Sequence, residues 1–127
     1  MKKVFVPVLL AVLLAGSLSA QTTIEFWHAM GGKNGEITQK VCEMFNASQT
    51  AYKVVPVFKG SYPNTMNAGI AAFRAGNPPS ILQVYEVGTA TMMSAKGAIK
   101  PVFQLMKEQG APFDPKAYFT TITGYYS

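Results

Sequence analysis

The sequence predicts an α/β domain in which short strands alternate with helices around a parallel sheet. Three stretches rich in strand-favouring residues are each followed by a stretch whose apolar residues recur at helical spacing. Glycines and prolines punctuate the chain after several of these stretches, most clearly at 76–79 and 110–112. Strand–helix alternation of this kind is typical of parallel sheets covered by helices.

The first two elements are a strand over residues 22–27 and a helix over residues 34–47. The strand alternates apolar and polar side chains, and two glycines after it permit a sharp turn. The helix is amphipathic, with Glu36 and Lys40 on its outer face. Its regularly spaced apolar residues are Ile37, Val41, Met44 and Phe45. Cys42 lies among them, and we expect a buried structural thiol there.

The second strand–helix pair is predicted at residues 52–58 and 64–75, with a loop over 59–63 between them. Pro56 lacks a donor for the hydrogen-bond ladder, so this strand is expected at an edge of the sheet or near its own end. The Gly-Asn-Pro-Pro run that begins at Gly76 is a typical helix stop.

The third pair comprises a strand over 81–85 and a short helix over 89–95. Further helices are predicted over 102–109 and from Pro115, where Asp114 supplies a cap. A last strand is predicted to begin within 120–126.

Tyr85 and Glu86 stand where the third strand gives way to a helix. In parallel α/β sheets, ligands bind at the carboxyl ends of the strands. Of the six acidic residues, only Glu86 falls at such a position, so we expect it in a binding site.

Residues 1–20 have the features of a secretory signal peptide: Lys2 and Lys3, an apolar run, and small residues that end at Ala20. The apolar run is short for a membrane span. Cleavage after Ala20 leaves a mature segment, 21–127, that suffices for one small domain in an extracytoplasmic space.

The charge pattern argues against a nucleic-acid-binding surface. Without the two lysines of the signal peptide, nine basic residues stand against six acidic ones, a net charge of +3, and they are scattered along the chain. The single cysteine cannot form an internal disulfide.

Catalytic and metal-binding patterns are missing from the sequence. His28 has no nucleophile or metal partner near it in sequence, so we expect a packing or helix-entry role, no metal and no cofactor. A small secreted hydrolase that uses His28 and Glu86 remains an alternative, and it requires the two side chains to converge.

Several aromatic residues fall at strand ends or in loops and suit the recognition of polyols or sugars. Tyr62, flanked by Ser61 and Pro63, is the one that core packing explains least. The others are Trp27, Tyr85, Tyr125 and Tyr126.

Four stretches resemble the glycerol-3-phosphate-binding branch of the extracellular solute-binding proteins of bacterial ABC importers. They are TIEFWHAM at 23–30, KGSY at 59–62, AGIAAFRAGN at 68–77 and ILQVYEVGTATMM at 81–93. The resemblance covers nearly the whole mature segment and includes the final GYYS. It implies a periplasmic, non-enzymatic protein with a periplasmic-binding-protein-like fold of two lobes, of which 21–127 is part of the amino-terminal one.

The resemblance also implies ligands and partners. Tyr62 and Glu86 match the solute-contacting tyrosine and glutamate, and Trp27 and His28 are candidate cleft-wall residues. The implied solutes are sn-glycerol-3-phosphate and glycerophosphodiesters such as glycerophosphocholine, with an oligosaccharide as the alternative. The implied partners are membrane permease subunits, the protein itself being a monomer when full length. A cation for the phosphate is expected beyond Ser127.

Overall fold

The computed structural model describes residues 20–95, 97–111, 114–119 and 121. The predicted signal peptide lies outside this part of the chain except for Ala20, and the last predicted strand, with Tyr125 and Tyr126, lies outside it except for Thr121. Within these residues, no helix has the length and apolar character that a membrane crossing would need.

The predicted α/β architecture is confirmed. The elements in chain order are β1 (Thr22–His28), α1 (Gly32–Ser48), β2 (Tyr52–Phe58), α2 (Tyr62–Arg74), β3 (Ile81–Leu82), α3 (Glu86–Ser94), α4 (Val102–Glu108) and a 3-10 turn (Pro115–Ala117). The three strands form one parallel sheet in the order β2-β1-β3.

The order of the strands places helices on both faces of the sheet. β2 lies on one side of β1 and β3 on the other, so the connection through α1 and the connection through α2 cross the sheet in opposite directions. Because such crossovers are right-handed, α1 and α2 cover opposite faces. Accordingly, α1 packs on β2, and α2 packs on β1 and β3.

β2 is an edge strand of this sheet, as Pro56 predicted, and its outer side is covered by side chains from α1 and from the turn after it. The carbonyl of Ala51 and the amide of Lys59 bond to β1. The backbone groups of the even-numbered residues between them, such as Tyr52 and Val54, therefore point away from β1. Asn46 bonds both backbone groups of Val54, at 2.7 and 2.8 Å. Gln49 does the same for Tyr52, at 2.7 Å each.

These polar clamps determine which side of α1 faces the sheet. The side turned inward comprises Gly35, Thr38, Cys42 and Asn46. Cys42 is buried as expected. The prediction was wrong for the apolar residues, which lie on the solvent side of the helix: Ile37, Val41, Met44 and Phe45.

α2 approaches the sheet closely at Gly69, where an added Cβ would lie 2.5 Å from a methyl carbon of Leu82. The helix ends as predicted. Gly76 has φ +75°, and the amides of Gly76 and Asn77 donate to the carbonyls of Phe73 and Ala72, as in a Schellman motif.

Candidate functional site

The carboxyl ends of the three strands, together with the first residues of α2 and α3, form the edge at which a ligand site was predicted. Trp27 and His28 end β1, and Lys59 follows β2. Tyr85 and Glu86 come shortly after β3, which is shorter than predicted.

Tyr62 lies in the first turn of α2 and not in the predicted loop. The helix begins two residues early because the Ser61 hydroxyl accepts a hydrogen bond from the Asn64 amide, and Pro63 suits the first turn. Tyr62 is 39% exposed. Its ring stacks on that of Tyr85, with 5.4 Å between centroids and 26° between planes.

Glu86 is likewise helical, as the first residue of α3, and its side chain is exposed. The unpaired amides at a helix start stabilise a carboxylate there. No hydrogen bond or ion pair joins the Glu86 carboxylate to another of the described residues, so its oxygens can accept hydrogen bonds from a ligand.

Trp27 is held by three contacts. Its indole Nε1 donates to Glu25 Oε2 at 2.8 Å, and its carbonyl accepts from the Gln83 amide at 2.9 Å. The ammonium of Lys59 lies 3.6 Å from the centroid of its ring.

His28 is only 5% exposed and packs against Phe26 and Phe58, with ring centroids 5.4 and 6.0 Å away. The Met30 amide donates to its Nδ1 at 3.2 Å. Burial lowers the pKa of His28, so the neutral ring is present at pH 7. These contacts are those of the packing and helix-entry role that the sequence favoured.

An apolar cavity of about 330 Å³ lies between α2, the end of α3 distant from Glu86 and the residues after α3, and neither Tyr62 nor Glu86 lines it. Across the described ranges, no group of three or more His, Cys, Asp and Glu residues could hold a metal ion.

No family model matches the chain. Over 118 residues it is 52% identical to the sn-glycerol-3-phosphate-binding periplasmic protein UgpB of Escherichia coli K12, and to the same degree to those of E. coli O157:H7 and Shigella flexneri serotype 5b. The resemblance predicted from the sequence is confirmed. The match covers 93% of this chain, which spans about a quarter of the length of these relatives (27%).

Sequence reasoning missed two residues that support the carboxyl ends of the strands, where the candidate site lies. The side chain of Gln83 accepts from the Ala29 amide at 2.9 Å and so joins the end of β3 to the turn after β1. Gly88 is buried, and a Cβ there would lie 2.6 Å from Met66 Sδ and 3.0 Å from Tyr85 Cε1. The glycine was visible in the sequence, but its close contacts depend on how α2 and α3 pack.

Proposed function

We propose that this chain is the amino-terminal part of an extracytoplasmic solute-binding protein of a bacterial ABC importer, and that the protein binds sn-glycerol-3-phosphate. The proposal rests on the 52% identity to proteins named for that solute. The parallel sheet with exposed polar and aromatic groups at its carboxyl edge supports it.

The proposed setting is the periplasm, reached through the signal peptide over residues 1–20. Permease subunits in the membrane are the proposed partners, and the full-length protein is proposed to be a monomer without a cofactor. Residues 21–127 would form part of one lobe of a periplasmic-binding-protein-like fold, and the second lobe would close over the solute by a hinge motion.

Tyr62 and Glu86 are the proposed solute contacts. A carboxylate accepts hydrogen bonds from glycerol hydroxyls, and a phenol donates to a hydroxyl or phosphate oxygen. Glu86 repels a phosphate, so it would face the glycerol end. Trp27, which is partly exposed, would form part of the cleft wall, and His28 would support it from within.

Glycerophosphodiesters such as glycerophosphocholine are proposed as further solutes, because they contain the same glycerol and phosphate groups. The stacked pair Tyr62–Tyr85 also suits a sugar ring, which keeps an oligosaccharide as the second candidate. The hydrolase alternative has little support from the geometry, because His28 is buried between two phenylalanine rings.

Calorimetric titration of the complete gene product tests the proposal, with sn-glycerol-3-phosphate, glycerophosphocholine and maltose as separate ligands. We expect binding of the phosphate compounds, weakened about tenfold or more by Glu86→Ala because a hydrogen bond to a charged group is lost. Tyr62→Phe removes a single hydroxyl and is expected to weaken binding about three- to tenfold.

The matched controls are Glu43→Ala, on the exposed side of α1, and Tyr52→Phe, at the amino end of β2 and so at the other end of the strands from the candidate site. Both should bind like the wild type. Binding of maltose alone would assign the protein to sugar uptake, and binding of none of the three ligands would refute the proposal.

A further inference from the structure

We propose that Lys59, positioned on the indole of Trp27, is a phosphate-binding cation that this lobe itself supplies. The inference rests on the proposed function and adds to it, since Tyr62 and Glu86 provide no positive charge. It also differs from the expectation that the phosphate's cation lies only beyond Ser127.

The backbone of Lys59 is fixed at the carboxyl edge of the sheet. Its amide donates to the His28 carbonyl at 2.9 Å, so strand pairing continues one residue beyond β2. Trp27 pairs with Val57, and side chains two residues apart in a strand share a face. Lys59 and Trp27 therefore lie on the same face of the sheet, the one that α2 covers.

The indole is a rigid platform for the ammonium. Glu25 fixes the ring by accepting from its Nε1, and Gln83 fixes the backbone of Trp27. A carboxylate that accepts from the indole N–H also increases electron density on the ring, which strengthens attraction of a cation above it. The separation of 3.6 Å from Nζ to the ring centroid is well within the range of such contacts.

Among the described residues, no carboxylate forms an ion pair with Lys59. Two other lysines in the described ranges form ion pairs at 2.7 Å, Lys33 with Glu36 and Lys100 with Glu108. The contact that the described residues give the Lys59 ammonium is with the indole of Trp27, and an ammonium has three N–H donors. Donors that point away from the ring remain for phosphate oxygens, which lysine binds as a point charge.

The chain then turns from Lys59 directly to Tyr62. Gly60 has φ +92°, a backbone conformation that favours glycine, and Ser61 caps α2. Lys59 and Tyr62 thus flank the start of α2, while Glu86 begins α3. A solute with an anionic end and a hydroxyl end matches this arrangement, the phosphate near Lys59 and the glycerol near Glu86.

The test is calorimetric titration of the complete gene product with sn-glycerol-3-phosphate at two salt concentrations. Lys59→Met keeps the aliphatic stem on Trp27 and removes the charge, so we expect affinity to fall tenfold or more and its salt dependence to diminish. Lys59→Arg should retain most of the affinity, because it keeps the charge. Trp27→Phe leaves a smaller ring that attracts the ammonium less strongly, so the affinity should fall about three- to fivefold.

Lys53→Met is the matched control, because Lys53 lies near the start of β2, on the same face as Lys59 but at the opposite end. This variant should bind like the wild type. Thermal melting should show Lys59→Met folded as stably as this control. If Lys59→Met binds within twofold of the wild type with the same salt dependence, the role of Lys59 is refuted while the proposed function stands. If the wild type does not bind the ligand, both fail.

Discussion

The rings of Tyr62 and Tyr85 stack with 5.4 Å between their centroids, and this contact joins the first residue of α2 to the residue before α3. Aromatic pairs of this kind contribute about 0.5–1.5 kcal/mol beyond the area that they bury. The stack orients the ring of Tyr62 against Tyr85, and Glu86 is the next residue after Tyr85 along the chain. The two proposed solute contacts are therefore coupled through Tyr85.

Gly88→Ala should weaken binding of sn-glycerol-3-phosphate, although Gly88 is not itself a proposed solute contact. Its Cβ would meet Met66 Sδ at 2.6 Å and Tyr85 Cε1 at 3.0 Å, so the Tyr85 ring must move and the stack with Tyr62 is disturbed. We expect a loss of about three- to tenfold in calorimetric affinity, corresponding to one aromatic pair.

Gly31→Ala is the control for this prediction. It has φ −102°, and a Cβ there would lie 3.5 Å from the Phe58 ring, an ordinary contact. Wild-type affinity in Gly88→Ala would show that the stack does not position the site.

Asn46→Ala should destabilise the fold by about 1–3 kcal/mol, because it removes two hydrogen bonds and exposes the edge of β2. Urea unfolding of the complete gene product measures the effect. Asn67→Ala, on the exposed side of α2, is the matched control, since it makes the same change in helix propensity. Equal unfolding free energies for the two variants would contradict a clamping role of Asn46.

The strands and helices could be predicted because each follows a regular pattern of apolar residues. β2 was predicted to the residue. The starts of α2 and α3 were missed because Tyr62 and Glu86 precede the periodic part of each helix and are helical through capping or local turn geometry. The inner side of α1 was missed because the Asn46 clamp, and not apolar burial, sets its rotation.

Part of the candidate site could likewise be predicted from the sequence. Position at a strand end selected Glu86, Trp27 and Tyr85 from the sequence. The roles of Lys59 and Gln83 depend on contacts between neighbouring strands, which the order β2-β1-β3 creates and which spacing along the chain does not reveal.

His28 should make folding stability depend on pH in the acidic range. Burial lowers its pKa below the ordinary 6.5, so the unfolded chain takes up the proton first as the pH falls. Stability is therefore greatest above about pH 6.5 and declines as the pH falls from there towards the lower pKa of the folded state. Urea unfolding between pH 5 and 8 measures this slope, and His28→Gln should reduce it. An unchanged slope in the variant would assign the pH dependence to other groups.

Cys42 should be unreactive in the folded protein. Burial raises the pKa of its thiol, and the side chain is 6% exposed, so little thiolate is present or accessible at pH 8. Ellman's reagent should modify Cys42 slowly in buffer and completely in urea, with Cys42→Ala as the blank. Rapid modification in buffer would show that α1 separates readily from the sheet.

Residues 21–127, prepared alone, should associate and not remain a monomer. Ile37, Val41 and Met44 are each more than half exposed, and at the other edge of the sheet β3 has no strand beside it in the described part of the chain. An open strand edge and an exposed apolar helix face both favour contacts between molecules. Light scattering after size-exclusion chromatography measures the mass. Replacement of Val41 and Met44 by Lys should shift it towards the monomer, whereas Lys40→Glu, which alters a neighbouring charge, should not. A monomer that unfolds in one sharp, cooperative transition would show instead that this segment is stable with both surfaces in water.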